Sequence, residues 1–315
     1  MRAWGLLVAW LALLVPGVAF AQDAPAPNPP APAGLTVDGE GAVYVTDYTY
    51  DRVVKFAADG SVLEQWGSSG SGSGQFDAPF GICIDDHGAI YVVDQLNNRV
   101  QKFAADGSAQ MAWGRAGARR GELRTPFAVA ASGGRVYVAD FGNDRVQVFG
   151  ADGGLLSSFG SRGSGDGQLL RPAGVAVAAD GSVYVADHFN DRVQRFSPDG
   201  HFQVQLGTLG PPSPSATQAP VASLPDGQLR RPEGLALDHD GNLWVADYGR
   251  DRVVKLSTTD GHLMLVVSGF SGPKSVAVDP TSGRVLVADT GNGRVQRFTP
   301  DGAFDTQWSL PAPGS

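Results

Sequence analysis

A single cysteine, Cys83, stands among 315 residues, so no intrachain disulfide can staple this chain. Its place in an internal repeat is held elsewhere by Thr36, Ala130, Ala176, Ala236 and Ala277, which marks a small packed site rather than a reactive thiol. The five histidines, His87, His188, His201, His239 and His262, are scattered, and no pair of them has metal-ligand spacing. After the first 21 residues no apolar run reaches the roughly 20 residues that span a bilayer as a helix. No stretch carries a helical period of useful length, and no nucleophile-elbow motif is present. Positive charge is in deficit. The 24 Lys and Arg against 32 Asp and Glu leave a formal net charge of −8, which opposes long-range attraction to nucleic acid or anionic lipid.

The N-terminus has the form of a secretory signal over residues 1–21. Arg2 precedes an apolar run from Trp4 to Val15, and Ala19-Phe20-Ala21 is a small-x-small cleavage site. A secreted or periplasmic location is therefore expected. Residues 22–33 (QDAPAPNPPAPA) form a Pro/Ala-rich tether, extended by its composition. Residues 34–310 carry the folded domain, and residues 311–315 form a C-terminal tail.

What the chain has in abundance is glycine, 43 residues, and a repeat. One segment recurs as YVTDYTYDRVVKF, YVVDQLNNRVQKF, YVADFGNDRVQVF, YVADHFNDRVQRF, WVADYGRDRVVKL and LVADTGNGRVQRF. Its acid is Asp47, Asp94, Asp140, Asp187, Asp247 and Asp289, and five residues later stands Arg52, Arg99, Arg145, Arg192, Arg252 and Arg294. Each unit divides into four short strands. A follows Pro-x-Gly, B is the YVAD run, C is RVQRF, and D ends on an aromatic or apolar residue such as Trp66, Trp113, Phe159 or Trp308. The strand runs are rich in Val, Tyr and Phe, which suit a pleated surface. Asp-Gly pairs close the C–D hairpins as two-residue turns. A four-stranded unit repeated six times implies an all-β, six-bladed β-propeller of antiparallel blades, because radial stacking buries both faces of every sheet. Residues 211–225 lengthen one inter-blade loop. Both terminal units are complete, so neither end is expected to finish the other's sheet.

The fragments P-x-G, Y-V-A-D and N-x-R-V-Q-x-F together resemble NHL repeats, from Gly34 to about Trp308. The resemblance implies a six-bladed propeller that presents one face to partners. Relatives of that kind include receptor-kinase sensor domains, RNA- and protein-binding domains, and an amidating lyase. Related propellers include a streptogramin lyase and lactonases, so fold alone does not set function.

The Asp–Arg couples are expected to be structural ion pairs, since an Arg accompanies every Asp at one offset. The B–C and D–A loops share one face. There, positions vary while their neighbours repeat. After the B-strand Asp come Tyr48, Gln95, Phe141, His188, Tyr248 and Thr290, and after each loop Pro come Ala33, Phe80, Phe127, Ala173, Glu233 and Lys274. Positions released from packing can carry specificity. The candidate contact residues are Tyr48, Phe80, Phe127, Phe141, His188, Glu233, Tyr248, Arg250 and Lys274, of types that dominate binding hot spots. The expected function is a binding scaffold for a protein, peptide or glycan partner. The chain is expected to be a monomer, with no cofactor and no nucleic-acid partner. The alternative is a lyase or lactone hydrolase holding a divalent metal, calcium or zinc, in the central channel, with Glu233 and His188 as its groups.

Overall fold

The computed structural model describes residues 28–207 and 227–312. Residues 1–21, most of the tether, residues 211–225 and the last three residues of the tail lie outside that range. The described residues form six four-stranded antiparallel sheets, each made of four consecutive strands. The first blade comprises β1 (Pro32–Val37), β2 (Val43–Asp47), β3 (Arg52–Phe56) and β4 (Val62–Trp66). The sixth comprises Pro273–Val278, Val285–Asp289, Arg294–Phe298 and Phe304–Ser309. As expected, neither terminus completes the other's sheet. Among the described residues no helix is long and apolar enough to cross a membrane.

The blades cannot stand alone, because the apolar core lies between them. Six buried clusters each draw residues from two consecutive blades, and the one between the sixth and first joins Val54 and Phe56 to Leu286, Val295 and Leu310. Burial of a Phe or Leu side chain is worth roughly 1.5–3 kcal/mol, so each seam is a substantial share of the fold. The D-strand terminal residue makes the join. Trp66 packs under Gly107 of the second blade, Trp113 under Gly153 of the third, and Trp308 under Gly60 of the first. A Cβ on any of these glycines would sit about 3.0 Å from the indole. The Asp-Gly pair therefore serves the seam as well as the turn. The turns are longer than two residues. At 57–61 only Gly60 has positive φ, while Asp59 caps the turn by accepting the Ser61 N–H at 2.9 Å. The Asp does not need the left-handed region, so the two-residue form is not used.

Pro-x-Gly sets how closely the blades approach the axis. A Cβ at Gly34 would lie 2.2 Å from the Phe80 carbonyl of the next blade, and one at Gly174 would lie 2.0 Å from the Glu233 carbonyl. Glycine is required there because neighbouring innermost strands pass backbone to backbone. A register shift follows this Pro in five blades, as between Pro32 and Leu35, including the sixth, where Ser275 stands in the glycine's place. That bulge turns the residue after each Pro into the ring around the axis. It also moves the start of the first blade to Pro32, with Ala33 fully buried, so the last two residues read as tether belong to the propeller.

Candidate functional site

Each Asp–Arg couple is an ion pair, from Arg52–Asp47 at 3.0 Å to Arg99–Asp94 at 2.6 Å. The carboxylates are fully buried rather than exposed as surface pairs. In the second blade Asp94 accepts from Arg99 Nε, Asn97 Nδ2, Gln101 Nε2 and the Asp77 N–H. One carboxylate thus explains the spacing of Asn, Arg and Gln in the repeat. The Arg99 guanidinium donates in turn to the carbonyls of Ser71, Gly72 and Gln75. The pair therefore holds the loop arriving from the preceding blade. Burial raises the carboxyls of Asp94, Asp140 and Asp187, and takes Asp247 to about 6, against the pull of these donors.

A second tie runs forward. The residue closing the B–C turn is left-handed (Asp51, Asn98, Asp144, Asp191 and Asp251, with φ from 50° to 56°). Its side-chain oxygen accepts the N–H of the residue just before, or at the equivalent of, the next blade's Pro-preceding position: Ala78, Thr125, Arg171, Arg231 and Gly272, at 2.7–2.8 Å. The donor residues are left-handed too, Thr125 at φ 41°. In the sixth blade the position is Gly293, which has no side chain to make the tie.

The two ties draw the varied positions together at one mouth of the axis. Phe80 and Phe127 meet at 4.5 Å between ring centres, and Phe127 stacks on Phe141 at 4.2 Å and 16°. Phe141 continues to His188 at 6.1 Å, and His188 to Tyr248 at 6.4 Å. Lys274 reaches over both Phe80 and Tyr248, at 5.1 and 5.7 Å, in the range of a cation–π contact. Seven of the nine candidates (Phe80, Phe127, Phe141, His188, Glu233, Tyr248, Lys274) thus share one cluster around the axis. Tyr48 is exposed on the first blade's B–C turn. Arg250 lies apart, donating to the Gln228 carbonyl at 2.8 Å, and so ties down a loop.

Within the cluster, exposure differs. Phe80 is buried beneath Lys274 and forms the floor, while Phe127, Phe141, Tyr248 and Lys274 are half-buried. Phe189, passed over by the sequence reading, is 41% exposed, packs at 4.8 Å on His188 and lies under Arg231. A signal for it existed. Its position is glycine in three repeats, Gly142, Gly249 and Gly291, where a Cβ would come within 2.7 Å of a preceding-loop carbonyl. Phe189, like Thr49 and Leu96, stands where those three repeats have glycine.

Two buried titratable groups face this mouth. Glu233 is 4% exposed, its Oε2 has no hydrogen-bond partner, and burial raises it to about 7 although Lys274 pulls it down. His188 Nδ1 lies 3.2 Å from the carbonyl of Pro232, the residue before Glu233. A carbonyl only accepts, so Nδ1 carries the proton and Nε2 is the unprotonated nitrogen. Burial lowers His188 to about 4, and the charges of Arg231 and Lys274 add to that. An open cleft of about 420 Å³ runs outward from Lys274 between the fifth and sixth blades, lined by Tyr248, Asp251, Ser271, Gly272, Thr290 and Gly291. Among the described residues no three His, Cys, Asp or Glu side chains converge, so these residues do not make the ligand set that the divalent-metal alternative requires. Cys83 is half-buried against the core between the second and third blades, and burial raises its thiol. In the Asp85 and Asp238 turns, one carboxylate oxygen accepts two N–H groups of its own turn.

Comparison with known proteins agrees with the repeat. The NHL repeat matches at residues 125–149, 169–196, 229–256 and 270–298. The chain is 38% identical over 96 residues to mouse peptidyl-glycine alpha-amidating monooxygenase, covering 27% of this chain and 10% of that protein. It is 37% identical over 100 residues to the Xenopus laevis monooxygenase B. The chain thus spans about a tenth of the length of these curated relatives. Among solved structures it resembles virginiamycin B lyase from Staphylococcus aureus (TM-score 0.60, 14% identity, 90% of this chain and 85% of that one). It also resembles a chain of a nidogen/laminin complex (TM-score 0.61, 17% identity, 83% and 91%). At those identities the likeness is one of fold.

Proposed function

Starting from an NHL-repeat six-bladed β-propeller, we propose that the chain is an exported binding module that captures a partner on the face bearing its B–C and D–A loops. One observation carries this reading. The positions that break the repeat, on three consecutive blades, come together as a continuous aromatic surface from Phe127 through Phe141, His188 and Phe189 to Tyr248. Scaffold positions repeat because packing dictates them. Aromatics that assemble outside that constraint supply rigid contact area at low entropic cost. The signal-like residues 1–21 support a periplasmic or extracellular setting, where the partner would be a protein, peptide or glycan of the envelope.

The test is a triple substitution of half-buried or exposed rings, Phe127→Ala, Phe189→Ala and Tyr248→Ala. Phe80 is left intact because it is buried and its loss would endanger the fold. The expected outcome is loss of affinity capture from the cell envelope with an unchanged blade-core circular dichroism spectrum. Capture equal to the parent chain would remove this face from consideration.

A second reading rests on Glu233 and His188 alone. A carboxyl poised near neutrality and an imidazole with an unprotonated nitrogen on the same face are groups of the kind used in acid–base chemistry, and one fold neighbour is a virginiamycin B lyase. Incubation with virginiamycin B, followed by mass spectrometry, tests it. A product formed by the parent chain and not by Glu233→Gln supports lyase activity of this kind. Unchanged substrate rejects it for that compound.

A further inference from the structure

We infer that the axial mouth is a subsite for an acidic sugar, a uronate residue whose carboxylate lies between Arg231 and Lys274 and whose hydroxyl donates to Glu233 Oε2. The inference rests on the binding-face reading and specifies the ligand.

Three cations surround the mouth: Arg171 over Phe141 at 5.3 Å, Arg231 over Phe189 at 5.8 Å, and Lys274 over Phe80. None of the three makes an ion pair among the described residues. Arg231 lies over Phe189 and Lys274 over Tyr248, and both of those rings pack against His188, so the two cations border the same imidazole. Two carboxylates on that face, Asp191 and Asp251, have an oxygen already committed to the N–H of Arg231 and of Gly272. The protein as a whole carries a net charge of −8, so this group of three cations with no ion pair among the described residues runs against the average. It fits an anion and disfavours a cationic ligand.

A bare anion does not account for Glu233. Its Oε2 is buried and has no donor, and no ion pair joins it to Lys274. A buried acceptor without a donor costs about 1–3 kcal/mol, so a ligand that brings a donor gains there. Arg231 Nε is likewise buried without an acceptor. The complementary ligand carries a carboxylate and a hydroxyl on one rigid frame, with an apolar face to lie on rings. A pyranose uronate has all three. The rings it would meet, Phe127, Phe141 and Tyr248, are already in place. The cleft leading away from Lys274 is lined by the hydroxyl-bearing Ser271 and Thr290 beside Tyr248. Its volume of about 420 Å³ lies in the usual range for small-molecule sites, roughly 300–1,000 Å³. It leaves room for neighbouring sugar units of a chain.

The experiment is calorimetric titration of the full chain with trigalacturonate, with its fully methyl-esterified form, and with sodium acetate. The ester keeps every ring hydroxyl and loses the charge, while acetate keeps the charge and loses the sugar. Saturable binding of trigalacturonate is expected, with the ester and acetate each at least tenfold weaker. Lys274→Met and Arg231→Gln should each weaken trigalacturonate at least tenfold, while Lys274→Arg retains binding. Equal affinity for acid and ester, binding of acetate as tight as of the trimer, binding unchanged in Lys274→Met, or no binding at all would overturn the inference. The Phe127→Ala, Phe189→Ala, Tyr248→Ala chain separates the two failures. If it loses envelope capture while the parent ignores trigalacturonate, the ligand assignment fails and the binding face stands.

Discussion

At the residue scale, Glu233 and His188 oppose one another in pH. Glu233 moves from an ordinary 4.5 to about 7 on folding. The unfolded chain then gives up this proton first as pH rises, so the ionisation erodes stability between about pH 4.5 and 7. His188 moves from 6.5 to about 4. The unfolded chain takes up that proton first as pH falls, so its contribution is fully present above pH 6.5 and is lost towards pH 4. The two slopes overlap with opposite sign. At about 1.36 kcal/mol per pKa unit, each is worth roughly 3 kcal/mol at most. Glu233→Gln should match the parent below about pH 4 and become more stable by up to roughly that amount above pH 7. His188→Asn should show a smaller loss than the parent between pH 6.5 and 4. Urea unfolding at pH 4, 5.5 and 7.5 reads both. A Glu233→Gln difference that does not change with pH would refute the burial argument.

At the scale of the element, the loops are organised by backbone geometry that favours few residue types. Thr125 sits at φ 41° immediately before Pro126, with its N–H held by Asn98 Oδ1 at 2.8 Å. A β-branched residue in the left-handed region is strained by about 1–3 kcal/mol. The strain is held by that hydrogen bond, which survives in any residue but proline. Thr125→Gly should therefore raise stability by about 0.5–1 kcal/mol, after glycine's larger unfolded-state entropy is deducted. Thermal unfolding reads this as a higher midpoint. A lower midpoint would mean that the Thr125 side chain contributes more than its backbone costs. Much at this scale was legible beforehand. The repeat placed the four strands of each blade and the Pro-x-Gly at the head of the first, because those positions answer to local backbone demands. The length of the Asp-Gly turns and the start at Pro32 were not legible, since a register shift and an indole from another blade decide them.

For the whole molecule, the seam between the sixth and first blades differs from the other five. Among the described residues no strand crosses it and no D–A loop connects it, and Gly293 offers no side-chain tie. It is closed by Trp308 against Phe56 at 6.0 Å, by Leu310, and by hydrogen bonds such as Thr290 Oγ1 to the Pro32 carbonyl at 2.7 Å and the Leu35 N–H to Ser275 Oγ at 3.3 Å. Trp308→Ala should cost about 3–5 kcal/mol. Hydrogen exchange should rise selectively in Pro32–Val37 and Phe304–Ser309. The matching Trp66→Ala leaves its seam joined by the connecting loop, and exchange there should rise less. Equal exchange in the two variants would show that covalent connection adds nothing to seam integrity.

The sequence by itself determined the blade count, the four-strand unit, the Asp–Arg couples and the face on which variable residues lie. Each of these repeats, and repetition exposes what local sterics and hydrogen bonding demand. Only the tertiary structure decided that the carboxylates are buried, that Phe80 is a floor and Arg250 a loop tie, that Phe189 belongs to the surface, and that Glu233 is left without a donor. Those outcomes depend on side chains meeting around a common axis from blades far apart in the chain, and no local pattern records such a meeting.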